Sequence, residues 1–144
     1  MTTVAQILKN KSRTVWSISP GKTVYRALEL MAEKDIGAVL VMDGEKLAGM
    51  LSERDYARRV ILKGKSSRDM LVKDLMTKVI VTVTPEQTIE NCMQLMTDKH
   101  LRHLPVLDNG KLAGIITIGD VVKAIMEEQK SAIQSLENYI SGKA

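Results

Sequence analysis

A hydroxyl residue followed three positions later by an aspartate occurs twice in this chain. Ser52 precedes Asp55, and Thr117 precedes Asp120. The carboxylate of such an aspartate can accept hydrogen bonds from the vicinal hydroxyls of a ribose, as the acidic residue of dinucleotide-binding folds does. The Ser52 or Thr117 hydroxyl can donate to a phosphate oxygen, and a helix starting here would offer free N–H groups to it. The spacing is therefore compatible with nucleotide binding.

The same spacing also fits a helix capping box, in which the two residues hydrogen-bond each other's backbone N–H groups. Taken alone, the pattern favours this purely structural use. Additional evidence is needed before either aspartate is assigned to a ligand.

That evidence begins with an internal repeat that contains both motifs. Residues 17–61 align on residues 82–126 without a gap, with 12 identities in 45 positions, including Lys46–Gly49 on Lys111–Gly114. A repeat of this kind predicts two copies of one supersecondary unit that share a core. We expect them to pack about a pseudo-twofold axis, with ligand clefts between them.

Each copy reads as β-α-β-β-α, which predicts an α+β fold. In the first copy a strand at 15–18 precedes a helix capped by Thr23, with apolar residues at Val24, Ala27, Leu28 and Met31. Runs at 38–42 and 46–51 predict a hairpin, and a second helix is predicted over 56–62. In the second copy Thr88 caps the helix, and Cys92 stands where Ala27 stands, as a small core residue.

Three segments lie outside the repeat. A short helix is predicted over 3–10, a connector over 63–77 and an extended last helix beyond 126. The boundaries are 1–62 for the N-terminal helix and first repeat, 63–77 for the connector, 78–126 for the second repeat and 127–144 for the helical extension. A thin apolar stripe on that last helix predicts packing, either within the chain or against a second subunit: Met126, Ile133, Leu136 and Ile140.

Composition excludes several functional classes. The chain has 21 basic and 17 acidic residues, a net charge of +4, and its basic residues are dispersed, which does not favour nucleic acid. One cysteine and two histidines give no metal-ligand cluster, and no catalytic arrangement stands out. We therefore expect a non-enzyme that requires no metal. Without a signal-peptide pattern or a membrane-length apolar run, we expect a cytoplasmic protein.

The motifs as a set resemble a tandem pair of CBS domains, the Bateman module, of the free-standing bacterial type. The resemblance is carried by Val83-Thr84-Pro85, by His103-Leu104-Pro105-Val106, by Leu112–Thr117 followed by Ile118-Gly119-Asp120, and by their echoes in the first copy. It implies one compact module that binds AMP, ADP, ATP or NAD in clefts between the repeats. It also implies a homodimer and a regulated protein that the sequence does not identify.

The resemblance assigns site residues that cross the repeats. The Asp120 site would comprise Thr14, Val15, Trp16, Ile36, Gly37, Ala38, Thr117, Ile118, Gly119 and Asp120. The Asp55 site would comprise Val79, Ile80, Val81, Leu101, Arg102, His103, Ser52, Arg54 and Asp55. Phosphate contacts are assigned to Arg54, Arg58, Arg102 and His103, with Arg13 and Lys78 as accessory cations. In the alignment of the two copies, Gly37-Ala38 of the first matches Arg102-His103 of the second. We therefore expect two clefts of different charge.

The sequence thus predicts a regulatory protein that senses adenine nucleotides through a change in conformation or partner affinity. Three alternatives stay open. One is an interaction or dimerisation module with empty clefts, another an S-adenosylmethionine binder, and the third a nucleic-acid binder. The sequence does not identify the physiological nucleotide.

Overall fold

The structure is a computed structural model, and it describes residues 1–11, 14–78 and 80–142. The first part of the chain forms α1 (Val4–Lys9), β1 (Ser17–Ile18), α2 (Val24–Lys34), β2 (Ala38–Asp43), β3 (Lys46–Ser52) and α3 (Glu53–Arg59). A 3-10 turn over Ile61–Lys63 follows. The second part forms α4 (Val72–Leu75), α5 (Ile89–Lys99), β4 (His103–Asp108), β5 (Lys111–Thr117) and α6 (Ile118–Ile140).

The mixed α+β fold is confirmed, and the elements repeat with the sequence. α5, β4 and β5 begin and end 65 residues after α2, β2 and β3. In the first repeat β1 pairs parallel with β2, which pairs antiparallel with β3. In the second repeat, β4 and β5 form a two-stranded sheet, and the place of β1 is taken by a single parallel bridge between Val83 and Val106. The repeats therefore share one plan, and the second has the shorter first strand.

Two boundaries differ from the prediction. β1 has two residues instead of four, and α3 begins at Glu53, directly after Ser52, instead of at residue 56. The earlier start follows from the hydroxyl of Ser52, which accepts a hydrogen bond from the Asp55 N–H and so caps the helix. The last residues of the predicted helix form the 3-10 turn.

Matching caps define the equivalent helices α2 and α5. The Thr23 hydroxyl accepts from Arg26 N–H at 3.1 Å, and the Thr88 hydroxyl accepts from Asn91 N–H at 3.2 Å. The C-caps, Asp35 and His100, have left-handed backbone with φ of 53° and 55°. A left-handed residue ends a helix by turning the chain away from its axis, so equivalent residues stop both helices.

Apolar side chains on the predicted faces form the cores. In the first repeat Val24, Ala27 and Met31 pack with strand residues and with Val72 and Leu75 of α4. In the second repeat, Cys92 is fully buried, which confirms it as a core residue, and burial raises the pKa of its thiol. A buried thiol with a raised pKa is a poor nucleophile.

The chain divides into two compact units. The first-repeat unit comprises Thr14–Val81 and Gly110–Leu112, and the second-repeat unit comprises Met1–Arg13, Thr82–Asn109 and Ala113–Ala144. Each unit therefore contains most of one repeat together with the short helix that precedes the other repeat. The helix α1, which precedes the first repeat, lies in the second-repeat unit, and α4, which precedes the second repeat, lies in the first-repeat unit. We call α1 and α4 the exchanged helices.

The short helices α1 and α4 dock by equivalent contacts, in which the helix residues are offset by 68 positions and their partners by 65. In the second-repeat unit Val4 N–H donates to Gln87 C=O at 2.8 Å, and Leu8 lies over Gly114. In the first-repeat unit Val72 N–H donates to Lys22 C=O at 2.8 Å, and Met76 lies over Gly49. Glycine leaves room for these side chains at both positions, because a Cβ atom would lie 2.7 Å from the Met76 side chain at Gly49 and 2.7 Å from the Leu8 side chain at Gly114. The helices α1 and α4 are thus equivalent elements of the two repeats, although the gapless sequence alignment does not include either of them.

Candidate ligand-binding site

Asp55 lies at the N-terminus of α3 and forms the capping box that the spacing allows. Its Oδ2 atom accepts from Ser52 N–H at 3.0 Å and from the Ser52 hydroxyl at 2.9 Å. Its backbone N–H donates to Ser52 Oγ at 3.2 Å. Within the described residues no hydrogen bond ends on Asp55 Oδ1, so the cap leaves one carboxylate oxygen for a ligand.

Asp120 forms the same capping box at the N-terminus of α6 and has one more partner. Thr117 N–H donates to Oδ2 at 2.9 Å, and Asp120 N–H donates to Thr117 Oγ1 at 3.1 Å. Lys11 Nζ donates to the same Oδ2 at 2.6 Å and to the carbonyl of Ile115 at 3.0 Å. The two carboxylates therefore share a structural role but differ in charge environment.

The pKa of Asp120 reflects these partners. Partial burial raises this pKa, but the hydrogen bonds from Lys11 and Thr117 and the charge of Lys11 outweigh burial and hold it below the ordinary value. Asp120 is therefore ionised at neutral pH and carries a paired negative charge. Lys11 was missed by the sequence reasoning, because it follows α1, whose place in the second-repeat unit only the fold reveals.

In each unit, the segment before the hairpin lies against the start of the last helix of its repeat. Glu53 N–H donates to Gly37 C=O at 3.0 Å, and Ile118 N–H donates to Arg102 C=O at 2.9 Å. These bonds bring two pairs of predicted site segments together, 36–38 with 52–55 and 101–103 with 117–120. Each pair lies within a single repeat.

His103 is half-buried in the second-repeat unit. Burial lowers its pKa, and the positive charges of Arg102 and Lys11 lower it further, against the opposing effect of Asp120. His103 is consequently neutral at pH 7, where it can donate one hydrogen bond but brings no positive charge to a phosphate. Positive charge near Asp120 comes from Lys11, its ion-pair partner, and from Lys123, which lines the same cavity as Asp120.

Trp16 is the only large aromatic among the predicted site residues, and the residue is 38% exposed. The Lys34 ammonium lies 4.3 Å from the ring centroid, within cation–π distance. Lys34 carries no signal in the sequence, because it is on the last turn of α2 and far from Trp16 along the chain. This contact holds one face of the indole in the first-repeat unit.

The remaining predicted site residues fall in both units. Arg54, Arg58, Arg102, Ile118 and Gly119 are exposed, whereas Ala38 is buried. Val79 and the accessory cation Arg13 lie outside the described residues. The predicted groupings of Asp120 with 14–16 and 36–38, and of Asp55 with 101–103, join residues of different units and stay predictions.

Metal binding and membrane insertion are two further functions on which the described residues bear. Across 1–11, 14–78 and 80–142, no three His, Cys, Asp or Glu side chains are grouped so that they could hold a metal ion. Among the helices in the same ranges, none is long and apolar enough to cross a membrane.

The fold and these helix caps define a duplicated α+β module in which two equivalent carboxylates stand at helix N-termini. A family model described as "CBS domain" matches residues 4–62 and 72–127. The chain therefore belongs to the CBS-domain family, with two domains in tandem. The second match begins at α4, inside the segment that the sequence alone assigns to a connector.

The chain is 40% identical to the mitochondrial CBS domain-containing protein CBSX3 of Arabidopsis thaliana, over 98% of this chain and 73% of that protein. Its fold is similar to that of a CBS-domain protein from Burkholderia ambifaria MC40-6, with a TM-score of 0.86 and 51% identity over 89% of this chain and 96% of the other. The relationship extends along nearly the whole chain.

Two further solved structures show what relatives bind or form. CBSX2 in complex with AMP has a TM-score of 0.75 and 27% identity, covering 88% of this chain and 98% of that one. A hexameric CBS-CP12 protein from bloom-forming cyanobacteria has a TM-score of 0.74 and 28% identity, covering 83% of this chain and 66% of that one. Nucleotide binding and self-association therefore both occur among similar folds.

Proposed function

We propose that this protein is a regulatory module that binds an adenine nucleotide, AMP, ADP, ATP or NAD, through Asp55 and Asp120. The observation that carries the proposal is the pair of equivalent carboxylates at the N-termini of α3 and α6. The AMP complex of CBSX2, a relative with the same fold, supports the choice of ligand.

The geometry of each cap suits a ribose phosphate. Capping uses Oδ2 of both aspartates and fixes the side-chain rotamer, which leaves Oδ1 to accept a ribose hydroxyl without further ordering cost. The first turn of each helix offers N–H groups and the positive end of the helix dipole to a phosphate. Arg54, Arg58 and Arg102 are exposed cations that can contact phosphate oxygens.

Regulation would follow from linkage. A nucleotide that binds one conformation of the chain more tightly than another shifts the equilibrium by its differential affinity and no more. A protein that recognises one of those conformations would then respond to nucleotide concentration. This function needs no chemical step at the nucleotide.

The proposal is tested with the paired substitution of Asp55→Asn and Asp120→Asn. An amide oxygen still accepts the capping hydrogen bond but loses the charge, so the caps and the fold are expected to survive. Isothermal titration with each nucleotide is expected to show binding by the wild type and a loss of at least about tenfold per site in the variant. Unchanged affinity in a folded double variant would contradict the assignment of both aspartates.

A nucleotide panel in a thermal-shift assay separates this function from an empty interaction module. A specific ligand at 100 times its dissociation constant adds about 2.7 kcal/mol to stability. S-adenosylmethionine and a short duplex DNA belong in the panel as representatives of the other classes. If none of these ligands shifts the transition, an interaction module is the better description.

We also propose that the partner on α6 is a second copy of this chain. The apolar stripe of α6 is exposed along its length, with exposed fractions of 64% for Met126, 59% for Ile133, 60% for Leu136 and 76% for Ile140. With Val122 and Gln129 these residues follow the alternating spacing of four and three that defines a coiled-coil seam. From Val122 to Ile140 the seam is about 27 Å long.

Charge favours an antiparallel pair of α6 helices. Lys123, Lys130 and Glu137 share one flank of the seam, seven residues apart. In an antiparallel pair this flank faces itself, so Lys123 of each copy meets Glu137 of the other, and only the central Lys130 meets its own equivalent. In a parallel pair these residues would face the opposite flank, which carries Ile125, Ala132 and Tyr139 and no charge. Two favourable pairs thus outweigh one unfavourable pair in the antiparallel arrangement.

A further inference from the structure

Lys11 is held in a fixed place by the docking of α1 in the second-repeat unit. α1 is anchored by backbone bonds from Val4 and Ala5 to the segment before α5 and by the buried side chains of Ile7 and Leu8. Lys11 follows the C-cap of this helix by one residue. The docking of α1 therefore places the Lys11 ammonium group beside the Asp120 carboxylate.

The ion pair is partly accessible. The side chains of Lys11 and Asp120 are 27% and 21% exposed, and both line a polar cavity of about 170 Å³ between α1 and α6. An ammonium group has three hydrogens, and Lys11 uses two, for Asp120 Oδ2 and for the Ile115 carbonyl. One N–H is left for a group that enters from solvent.

Asp55 has no equivalent of Lys11 within the described residues. Among those residues, its carboxylate accepts hydrogen bonds from Ser52 alone. Of the two carboxylates, Asp120 is ion-paired with a lysine, and no ion pair of Asp55 is found among the described residues.

This difference has a consequence for ligand choice. At Asp55 a phosphate would depend on the exposed Arg54 and Arg58 to offset the carboxylate charge. At Asp120 that charge is already offset by Lys11, and Oδ1 is left for a hydroxyl. We propose that Lys11 is a specificity-determining residue that contacts phosphate and makes the Asp120 position select phosphorylated adenosine ligands over adenosine. This inference rests on the proposed function, which supplies the nucleotide.

The test compares adenosine with AMP, because the two differ by one phosphate. Both are titrated into the Asp55→Asn variant, in which only the Asp120 position keeps its carboxylate, with and without Lys11→Met. Lys11→Met is expected to weaken AMP binding about tenfold or more and to change adenosine binding less than about threefold. Lys11→Arg is expected to retain most of the preference for AMP.

Lys9→Met is the matched control, because Lys9 is an exposed lysine on the last turn of α1, two residues before Lys11. It removes the same net charge and is expected to leave both affinities unchanged. If Lys11→Met does not fold, Lys11→Gln, which keeps a polar side chain of similar length, replaces it.

Each result decides the proposal. A preference for AMP that survives Lys11→Met overturns it. Tighter binding of both ligands by Lys11→Met also overturns it, because Lys11 would then compete with the ribose for Asp120. If neither ligand binds the wild type or the Asp55→Asn variant, the proposed function fails, and the role of Lys11 fails with it.

Discussion

Asp120 and Asp55 occupy equivalent positions, and yet their electrostatic surroundings differ. The spacing in the sequence correctly predicted that both could cap a helix, because a capping box involves residues three apart. It could not predict the ion pair of Asp120, because Lys11 lies 109 residues away. Local chemistry is visible in a sequence, whereas a contact that depends on docking is not.

The ion pair predicts a specific dependence of stability on pH. Because the pKa of Asp120 in the folded chain lies below its ordinary value of about 3.9, its contribution to stability is complete above about pH 5 and is lost as the pH falls through the folded-state pKa. Lys11→Met removes a main cause of the shift. The variant is expected to be less stable at pH 7 and to lose less stability than wild type between pH 5 and pH 3.

Melting temperatures across this range provide the measurement. Lys9→Met again serves as the control and is expected to follow the wild-type curve. An identical acid dependence in Lys11→Met would show that the ion pair contributes nothing to the folded state in solution.

The elements α2, β2, β3 and their counterparts were predicted nearly to the residue, because their signals are local. Thr23 and Thr88 cap helices with apolar periodicity, and Asn109-Gly110 turns a hairpin with both residues at positive φ. The exchange of α1 and α4 was not predicted. These helices have few residues, and their offset of 68 breaks the gapless alignment at 65.

The exchanged helices α1 and α4 dock against Gly114 and Gly49, and replacing these two glycines by alanine is expected to reduce stability by different amounts. A Cβ at Gly114 would lie 2.7 Å from Leu8 Cδ2, a side-chain end that can move. A Cβ at Gly49 would lie 2.9 Å from the backbone oxygen of Thr77 as well as 2.7 Å from Met76 Sδ. Because backbone cannot yield as a side chain can, Gly49→Ala is expected to destabilise more, within the range of about 1–3 kcal/mol for overpacking.

Urea denaturation of both variants measures this difference. Gly21→Ala is the control, because no atom lies within 4 Å of a Cβ built there and its φ is not left-handed. In Gly114→Ala, the additional change Leu8→Ala removes the clash and is expected to cost less than the sum of the two single changes. A Gly49→Ala variant as stable as the control would contradict the close docking of α4.

At the scale of the whole molecule, the sequence established the family and the duplicated plan, which the family model and the fold confirm. The assignment of 20 residues to two nucleotide sites remains a prediction, because each site joins residues of both units. The structure shows that the two repeats differ in the surroundings of the capping carboxylate, since Asp120 forms an ion pair with Lys11. A regulatory molecule with unequal sites could respond to two ligands or to two concentration ranges of one ligand.

The exposed seam of α6 leads to a prediction about assembly. Wild type is expected to elute in light-scattering chromatography with the mass of a dimer. Ile133→Glu places a charge in the centre of the seam and is expected to shift the chain towards monomer. Ser135→Glu adds the same charge to the same helix at an exposed position off the seam and is expected to leave the dimer intact.

Cysteine cross-linking then determines the orientation of the pair. Cys92 is first replaced by alanine, the residue found at the equivalent position 27 of the first repeat. In an antiparallel pair position 129 of one copy lies beside position 133 of the other, so the double change Gln129→Cys and Ile133→Cys is expected to form an intermolecular disulfide. The single Ile133→Cys is expected to form none, because its own equivalent would lie beyond the Cα separation of about 7 Å that a disulfide spans. Efficient cross-linking of the single variant would show a parallel pair, and a dimer that survives Ile133→Glu would place the interface on another surface.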